Sequence, residues 1–378
     1  MDRGTKTKVA LAATSALVAL GLAVAARGIP ALPWPRGSAA PPATGHVPPL
    51  DEARARRFFA IESRPHIQYD PVASIVYTPG TTERWSWEEH PDGVFVREVN
   101  ERSLNMARPT ALAKRGLRVL VAGDSHTAGV VNCEESFCHV TERRLKRALG
   151  RRDVEVLNAA VPYTGPTCYL GVLHKHLELD PDVFVAVVFV GNDFLDESTL
   201  AQAAGRAHAP QVPPEYHDIV HAVWAEGDAV LAQGLNQAYR YHWFPEEAEL
   251  ALQTSLAAFR EMKRACAAHG IALLAVLLPT KMDVDEDDRE TWESAPSALG
   301  LAPEEAHANL ALGRRLFAAL QAEGIACLDP TEEMVRSTEV LYWKRDYHLA
   351  VRGHALVGRL LGERLAVTLG APGPGPVR

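Results

Sequence analysis

Three short stretches of this chain carry residue types that could do chemistry. The first is Gly123-Asp124-Ser125-His126, which directly follows a short apolar run at 118–122. A serine hydroxyl is a weak nucleophile unless a neighbouring base takes its proton. A tight turn at a strand end would expose its oxygen and align nearby backbone N–H groups. Gly-Asp-Ser is also a common turn, and the G-x-S-x-G elbow is missing because Thr127 stands where the second glycine would be. The second stretch is Gly191-Asn192-Asp193, after the apolar run 183–190. A side-chain amide there could donate to a developing oxyanion, although the same tripeptide suits an Asx turn. The third is Asp346-Tyr347-His348, which opens the last helical pattern. A carboxylate beside a histidine can fix its tautomer and stabilise the imidazolium.

Such groups need elements that bring them to one place. Apolar runs at 118–122, 154–157, 183–190, 271–278 and 325–328 read as strands. Helical patterns at 136–149, 166–179, 246–269, 303–323 and 351–369 lie between and after them. The run 183–190 is continuously apolar, as a central parallel strand buried on both faces would be. This alternation predicts an α/β fold with a doubly wound parallel sheet. In such a sheet the loops beyond the strand carboxyl ends converge on one rim. Asp124, Ser125, Gly191, Asn192 and the segment Pro279-Thr280-Lys281 all fall at strand ends. Lys281 could line that rim or merely cap a strand. Residues 202–245 fit the sheet pattern least and read as a helical insertion, either a lid over the rim or an outer helix pair.

The order and context of these motifs resemble the SGNH (GDSL-like) hydrolase superfamily, in its exported bacterial members, over about 118–369. Gly-Asp-Ser resembles its first block, Asn158-Ala159-Ala160-Val161-Pro162-Tyr163 its second, Gly191-Asn192-Asp193 its third and Asp346-Tyr347-His348 its last. The resemblance implies a flavodoxin-like three-layer α/β/α fold and a serine esterase. It implies Ser125 as nucleophile, His348 as base and Asp346 as the third triad member. The oxyanion would be held by the N–H groups of Ser125 and Tyr163 and the amide of Asn192. It also implies Asp124, Gly191 and Lys281 as supporting or rim residues, with no metal and no cofactor. Two departures stand out: Tyr163 occupies a place where the second block normally has glycine, and the last block is Asp-x-His rather than Asp-x-x-His. The substrate implied is an ester, a short O-acyl group on an envelope or extracellular carbohydrate being the favoured case. An O-acyltransferase on the same site and a non-catalytic carbohydrate-binding or assembly protein are the alternatives.

Composition sets the outer bounds. The chain has 378 residues, 47% hydrophobic and 23% charged, enough for a sizeable core. A net charge of -8 argues against nucleic acid as a partner. Arg3, Lys6 and Lys8 precede an uncharged apolar run at 9–26, about 18 residues long, the lower limit for a spanning helix. Ala23-Val24-Ala25 would form a signal cleavage site. Export is therefore expected, to the periplasm or the outside, with a cleaved signal and a retained inner-membrane anchor both open. The organisation that follows is a signal peptide or anchor at 1–27 and a Pro-rich linker at 28–50. After these come an N-terminal extension at 51–110 packed on the catalytic domain, the catalytic domain at 111–369 and a disordered tail at 370–378. Of the five cysteines, Cys133 and Cys138 are close enough to bridge, or all five act as small buried hydrophobes. His174 and His176 are two apart on one helix and share no face. The acidic run Asp283, Asp285, Glu286, Asp287, Asp288 lacks the glycine and glutamate of a calcium loop. Glu142, Arg143, Arg144, Lys146 and Arg147 read as a solvated helix face.

Overall fold

The computed structural model describes residues 48–225, 231–285 and 296–369. The apolar run 9–26, nearly all of the linker, residues 286–288 of the acidic run and the tail lie outside them. The chain enters through helix α1 (Glu52–Phe58) and two antiparallel hairpins, β1 (Ile67–Asp70) with β2 (Ser74–Tyr77) and β3 (Thr82–Ser86) with β4 (Val94–Glu98). Strand β5 (Leu117–Ala122) then starts the main sheet. It is followed by the short helix α2 (Ser125–Ala128), α3 (Phe137–Ala148), β6 (Val154–Asn158), α4 (Pro166–Lys175), β7 (Val183–Phe189) and α5 (Asp193–Ala203). The insertion contributes α6 (Pro214–Ala225) and α7 (Asn236–Trp243). The chain continues through α8 (Pro245–His269), β8 (Ala272–Leu278), α9 (Lys281–Val284), α10 (Ala308–Ala322), β9 (Ala326–Leu328), α11 (Thr331–Val335) and α12 (Val351–Thr368).

All pairings in the main sheet are parallel, in the order β6-β5-β7-β8-β9. This is the expected doubly wound α/β sheet with helices on both faces. Every residue of β5 and of β7 is buried, which explains the continuous apolar sequence of β7 and the apolar sequence of β5 apart from Arg118. Alternate side chains serve opposite layers. Leu120, Phe184, Ala186, Val188, Ala275 and Leu277 pack with α4, α8 and α10. Val119, Val121, Val185, Val187, Val276 and Leu278 pack with α3 and α12. The two helices of that second layer approach closely. A Cβ on Gly358 would lie 2.6 Å from Val140 Cβ, and one on Gly362 2.7 Å from Arg144 Cβ.

Several sequence expectations are corrected here. The pattern 166–179 breaks at His176 into α4 and a 3-10 turn, Leu177–Leu179, and 303–323 opens as a 3-10 turn, Pro303–His307, before α10. All five cysteines are free. Cys133 turns its sulfur to the Glu98 backbone at 3.5 Å, while Cys138 packs into the core under α3, so the two do not bridge. Glu142 does not belong to a solvated face. It is buried and accepts hydrogen bonds from Arg108, from Lys146 at 2.7 Å and from the Val156 N–H at 2.9 Å. Among the described residues no helix is long and apolar enough to cross a membrane.

Candidate active site

The strand order reverses at β5, because β6 lies on one side of it and β7 on the other. A crevice opens at such a switch point, and the loops after β5, β6 and β7 meet there. Ser125 is the first residue of α2, so its own N–H has no intrahelical acceptor. Asp124 caps this helix: its Oδ1 accepts from the His126 N–H at 3.0 Å. Gly123 has no space for a side chain, since a Cβ there would lie 2.1 Å from Thr127 Oγ1. The second loop is tied to the first through Val161 N–H to Gly123 O at 3.0 Å and Asn158 Nδ2 to Thr127 O at 3.0 Å.

The residues singled out in the last stretch reach the serine. The Ser125 hydroxyl lies 2.9 Å from His348 Nε2, and His348 Nδ1 lies 2.9 Å from Asp346 Oδ2. Asp346 uses its other oxygen to accept from the His348 backbone N–H at 3.1 Å. Two residues suffice for this because Tyr347 between them has φ 65°, which turns the chain back on itself. The loop is held on both sides by Trp343 N–H to His348 O and Ala350 N–H to Leu341 O, each 2.8 Å. Lys281 is buried rather than presented at the rim, and its ammonium sits 4.6 Å from the centre of the Tyr347 ring. It supports the histidine loop from behind.

Asn192 and Tyr163 stand at the ends of the neighbouring strands. Asn192 occupies the N-cap position of α5 without a side-chain capping bond, and its Oδ1 has no partner among the described residues. The turn carrying it is fixed by Asp193, whose Oδ2 accepts from the Phe189 N–H at 2.9 Å and the Tyr169 hydroxyl at 2.8 Å. Burial and the charge of Asp124 push the Asp193 carboxyl well above the usual range. Burial also lifts Asp124, to about 6, against the opposing influence of His348 and the helix N–H groups. A Cβ on Gly191 would strike the Phe189 ring at 2.5 Å. Tyr163 has φ 67°, a conformation glycine adopts without strain. Its ring turns aside under the Arg64 guanidinium, 3.7 Å from the ring centre.

Sequence reasoning missed two residues at this site. His126 is completely buried, stacked between Phe189 at 3.6 Å and His348 at 4.5 Å. Gln233, from the insertion, bonds to His126 Nε2 at 3.0 Å. The neighbourhood of Ser125 was the one available signal for His126; nothing in the sequence marks Gln233. His174 and His176 lie away from this cluster, and Asp283 caps its own turn through Thr280. Among the described residues no group of His, Cys, Asp and Glu could hold a metal ion.

A hydroxyl bonded to an imidazole whose other nitrogen meets a carboxylate is an arrangement that can activate an alcohol for attack on a carbonyl. Fold and site together describe an acylhydrolase. The model of the GDSL-like lipase/acylhydrolase family matches residues 121–356, and the chain belongs to that family. Similar solved structures include a lipase/acylhydrolase from Enterococcus faecalis, with 15% identity over 68% of this chain and 100% of that one, TM-score 0.39. A putative acylhydrolase from Bacteroides fragilis has 15% identity over 69% and 91%, TM-score 0.38. A catalytic mutant of an acetylxylan esterase from Geobacillus stearothermophilus has 12% identity over 68% and 96%, TM-score 0.36. No curated protein matches the chain.

Proposed function

We propose that the protein is a serine carboxylic-ester hydrolase in which Ser125 is the nucleophile, His348 the general base and Asp346 the group that orients the imidazole. The observation that carries this reading is the unbroken pair of hydrogen bonds, 2.9 Å each, from Ser125 through His348 to Asp346. Ser125 Oγ attacks the ester carbonyl carbon as its proton passes to His348 Nε2. The tetrahedral oxyanion is held by the N–H groups of Ser125 and Tyr163 and by the Asn192 amide. The C–O bond to the leaving alcohol breaks, and that oxygen takes the proton from His348. Water, deprotonated by the same nitrogen, then attacks the acyl-enzyme and releases the acid and free Ser125.

The proposed substrate is a short O-acyl ester on an envelope or extracellular carbohydrate. This part of the proposal rests on the basic and apolar N-terminal sequence, which would send the catalytic domain to the compartment where such esters occur. The test begins with a fluorophosphonate probe on the full chain beside Ser125→Ala and His348→Ala, with p-nitrophenyl acetate hydrolysis in parallel. Labelling and turnover in the wild type, lost in both variants, is the expected result. A folded wild-type protein that neither labels nor hydrolyses would remove the esterase reading.

A further inference from the structure

We propose that His126 is a positioning residue for the base His348, and that Gln233 of the insertion is the latch that holds it. The inference builds on the serine-hydrolase reading, because the ring being positioned is the one assigned there as base.

The His126 side chain is fully buried, and among the described residues its Nδ1 has no hydrogen-bond partner. A polar ring in that position costs stability unless its contacts return something. Besides an edge contact with Tyr342 at 6.3 Å, its ring stacks on two neighbours. One face lies on Phe189 at the end of β7, with ring centres 3.6 Å apart and planes 24° from parallel. The other face lies along His348, at 4.5 Å and 29°. Among the described residues the His348 ring is otherwise hydrogen-bonded at its edges, by Asp346 on Nδ1 and Ser125 on Nε2. Those two bonds leave the ring free to rock about the line that joins them, and a stacked neighbour restricts that motion. Burial holds His126 well below its ordinary pKa, so it stays neutral. A neutral ring can lie beside the imidazolium that forms on His348 without repelling it.

Among the described residues the His126 ring is held by one hydrogen bond, Nε2 to Gln233 Oε1 at 3.0 Å. Gln233 lies at a kink where the helical φ and ψ values are lost, φ −106° there and φ 157° at Gly234. Glycine suits the second position because its φ of 157° is one that other residues rarely adopt. The kink is anchored by Asn309 Nδ2 donating to Gly234 O at 2.8 Å. Gln237, one turn on, donates to Val190 O at 2.7 Å and accepts from the Leu195 N–H at 2.8 Å. The same Gln233 also presses its backbone on the Asn192 turn, where a Cβ on Gly191 would lie 2.7 Å from Gln233 O. One residue of the insertion thus touches both the ring behind the base and the turn that carries the oxyanion amide. The insertion is a working part of the active site.

The experiment compares wild type, Gln233→Ala, His126→Phe and the double variant, using p-nitrophenyl acetate kinetics and the rate of fluorophosphonate labelling. His126→Phe keeps a ring in the stack and removes the bond; Gln233→Ala, at a partly exposed residue, removes the same bond from the other side. Each single variant is expected to lose about tenfold in kcat and in labelling rate, with KM within about twofold. The double variant is expected to lose no more than either single one, because both break one interaction. A folded Gln233→Ala protein with wild-type kcat would overturn the proposal, as would losses that multiply in the double variant. A change in melting temperature with kcat unmoved would mean that the contact serves folding alone. Absence of labelling in the wild type would instead remove the esterase reading, so the two failures are distinguishable.

Discussion

Two non-glycine residues beside the serine have positive φ, Tyr163 at 67° and Tyr347 at 65°. Each such conformation costs of the order of 1–3 kcal/mol and persists where the surroundings impose it. At Tyr347 the strain has a clear return: it lets an aspartate only two residues before the histidine reach back to Nδ1. That spacing was the weakest element of the sequence argument, and the backbone turn accounts for it. At Tyr163 the backbone takes the shape a glycine would take, while the side chain leaves the cleft for Arg64. Replacing Asn192 tests the oxyanion assignment at this scale. Asn192 makes no bond on which the fold depends through its Oδ1. Asn192→Ala is therefore expected to keep the wild-type melting temperature and to lose about 10²–10³ in kcat. Near-wild-type turnover in a folded variant would take Asn192 out of the mechanism. Asp346→Asn is expected to do more, about 10³–10⁴ in kcat, since an amide would favour the wrong tautomer of His348; steady-state kinetics on p-nitrophenyl acetate reads both.

Among the elements, α3 shows how a surface reading fails. Its charged residues suggested a solvated face, yet Glu142 is held between Arg108, Lys146 and the backbone of β6. Arg108 is distant in sequence, so no helical period could announce the pairing. Burial alone would raise the Glu142 carboxyl, but Arg108, Lys146 and the Val156 N–H outweigh it and hold it at about 2. A carboxylate depressed in the folded state stabilises above its unfolded pKa and loses that contribution as pH falls toward its folded value. Glu142→Gln is therefore expected to lower unfolding stability by about 2 kcal/mol at pH 7. The difference from wild type should shrink between about pH 4.5 and pH 2. Urea titrations at several pH values measure it, and a pH-independent difference would contradict the pairing. The central strands were legible for the opposite reason. In β7 both faces are buried, so the sequence stays apolar without interruption, and in β5 the one charged residue, Arg118, is buried in hydrogen bonds to Glu155 and the Leu179 carbonyl. Ser125 and Asn192 were legible because they follow those strands, and His348 because it precedes the last helix with an aspartate two residues before it. Gln233 was not, because its place depends on how the insertion folds back over the rim.

For the whole molecule, the residues before β5 are as much a part of the site's support as the sheet. Phe59, Ile67, Ile75 and Tyr77 pack with Ala128, Ala160 and Val161, under the first two loops of the site. Phe95 packs with Val130, Val131 and Trp343, and Arg345 pairs with Glu88 at 2.6 Å beside the Asp346 loop. Stability on this scale comes from packing, with no covalent staple: the five thiols are free, and four of them are buried. Burial raises Cys133 and Cys327 to about 11 and Cys266 to about 12, and pushes Cys138 and Cys168 higher still. Since the thiolate is the reactive form, these groups are poor nucleophiles and poor substrates for oxidation. An exported protein with this thiol set would fold without help from an oxidising compartment. The native protein is expected to react with Ellman's reagent at Cys327 at most, while the urea-unfolded protein should titrate all five. Dithiothreitol should leave the melting temperature unchanged even in protein prepared under oxidising conditions. A fall in melting temperature on reduction, with two thiols missing from the unfolded titration, would show that a bridge forms and that the packing alone does not hold the chain.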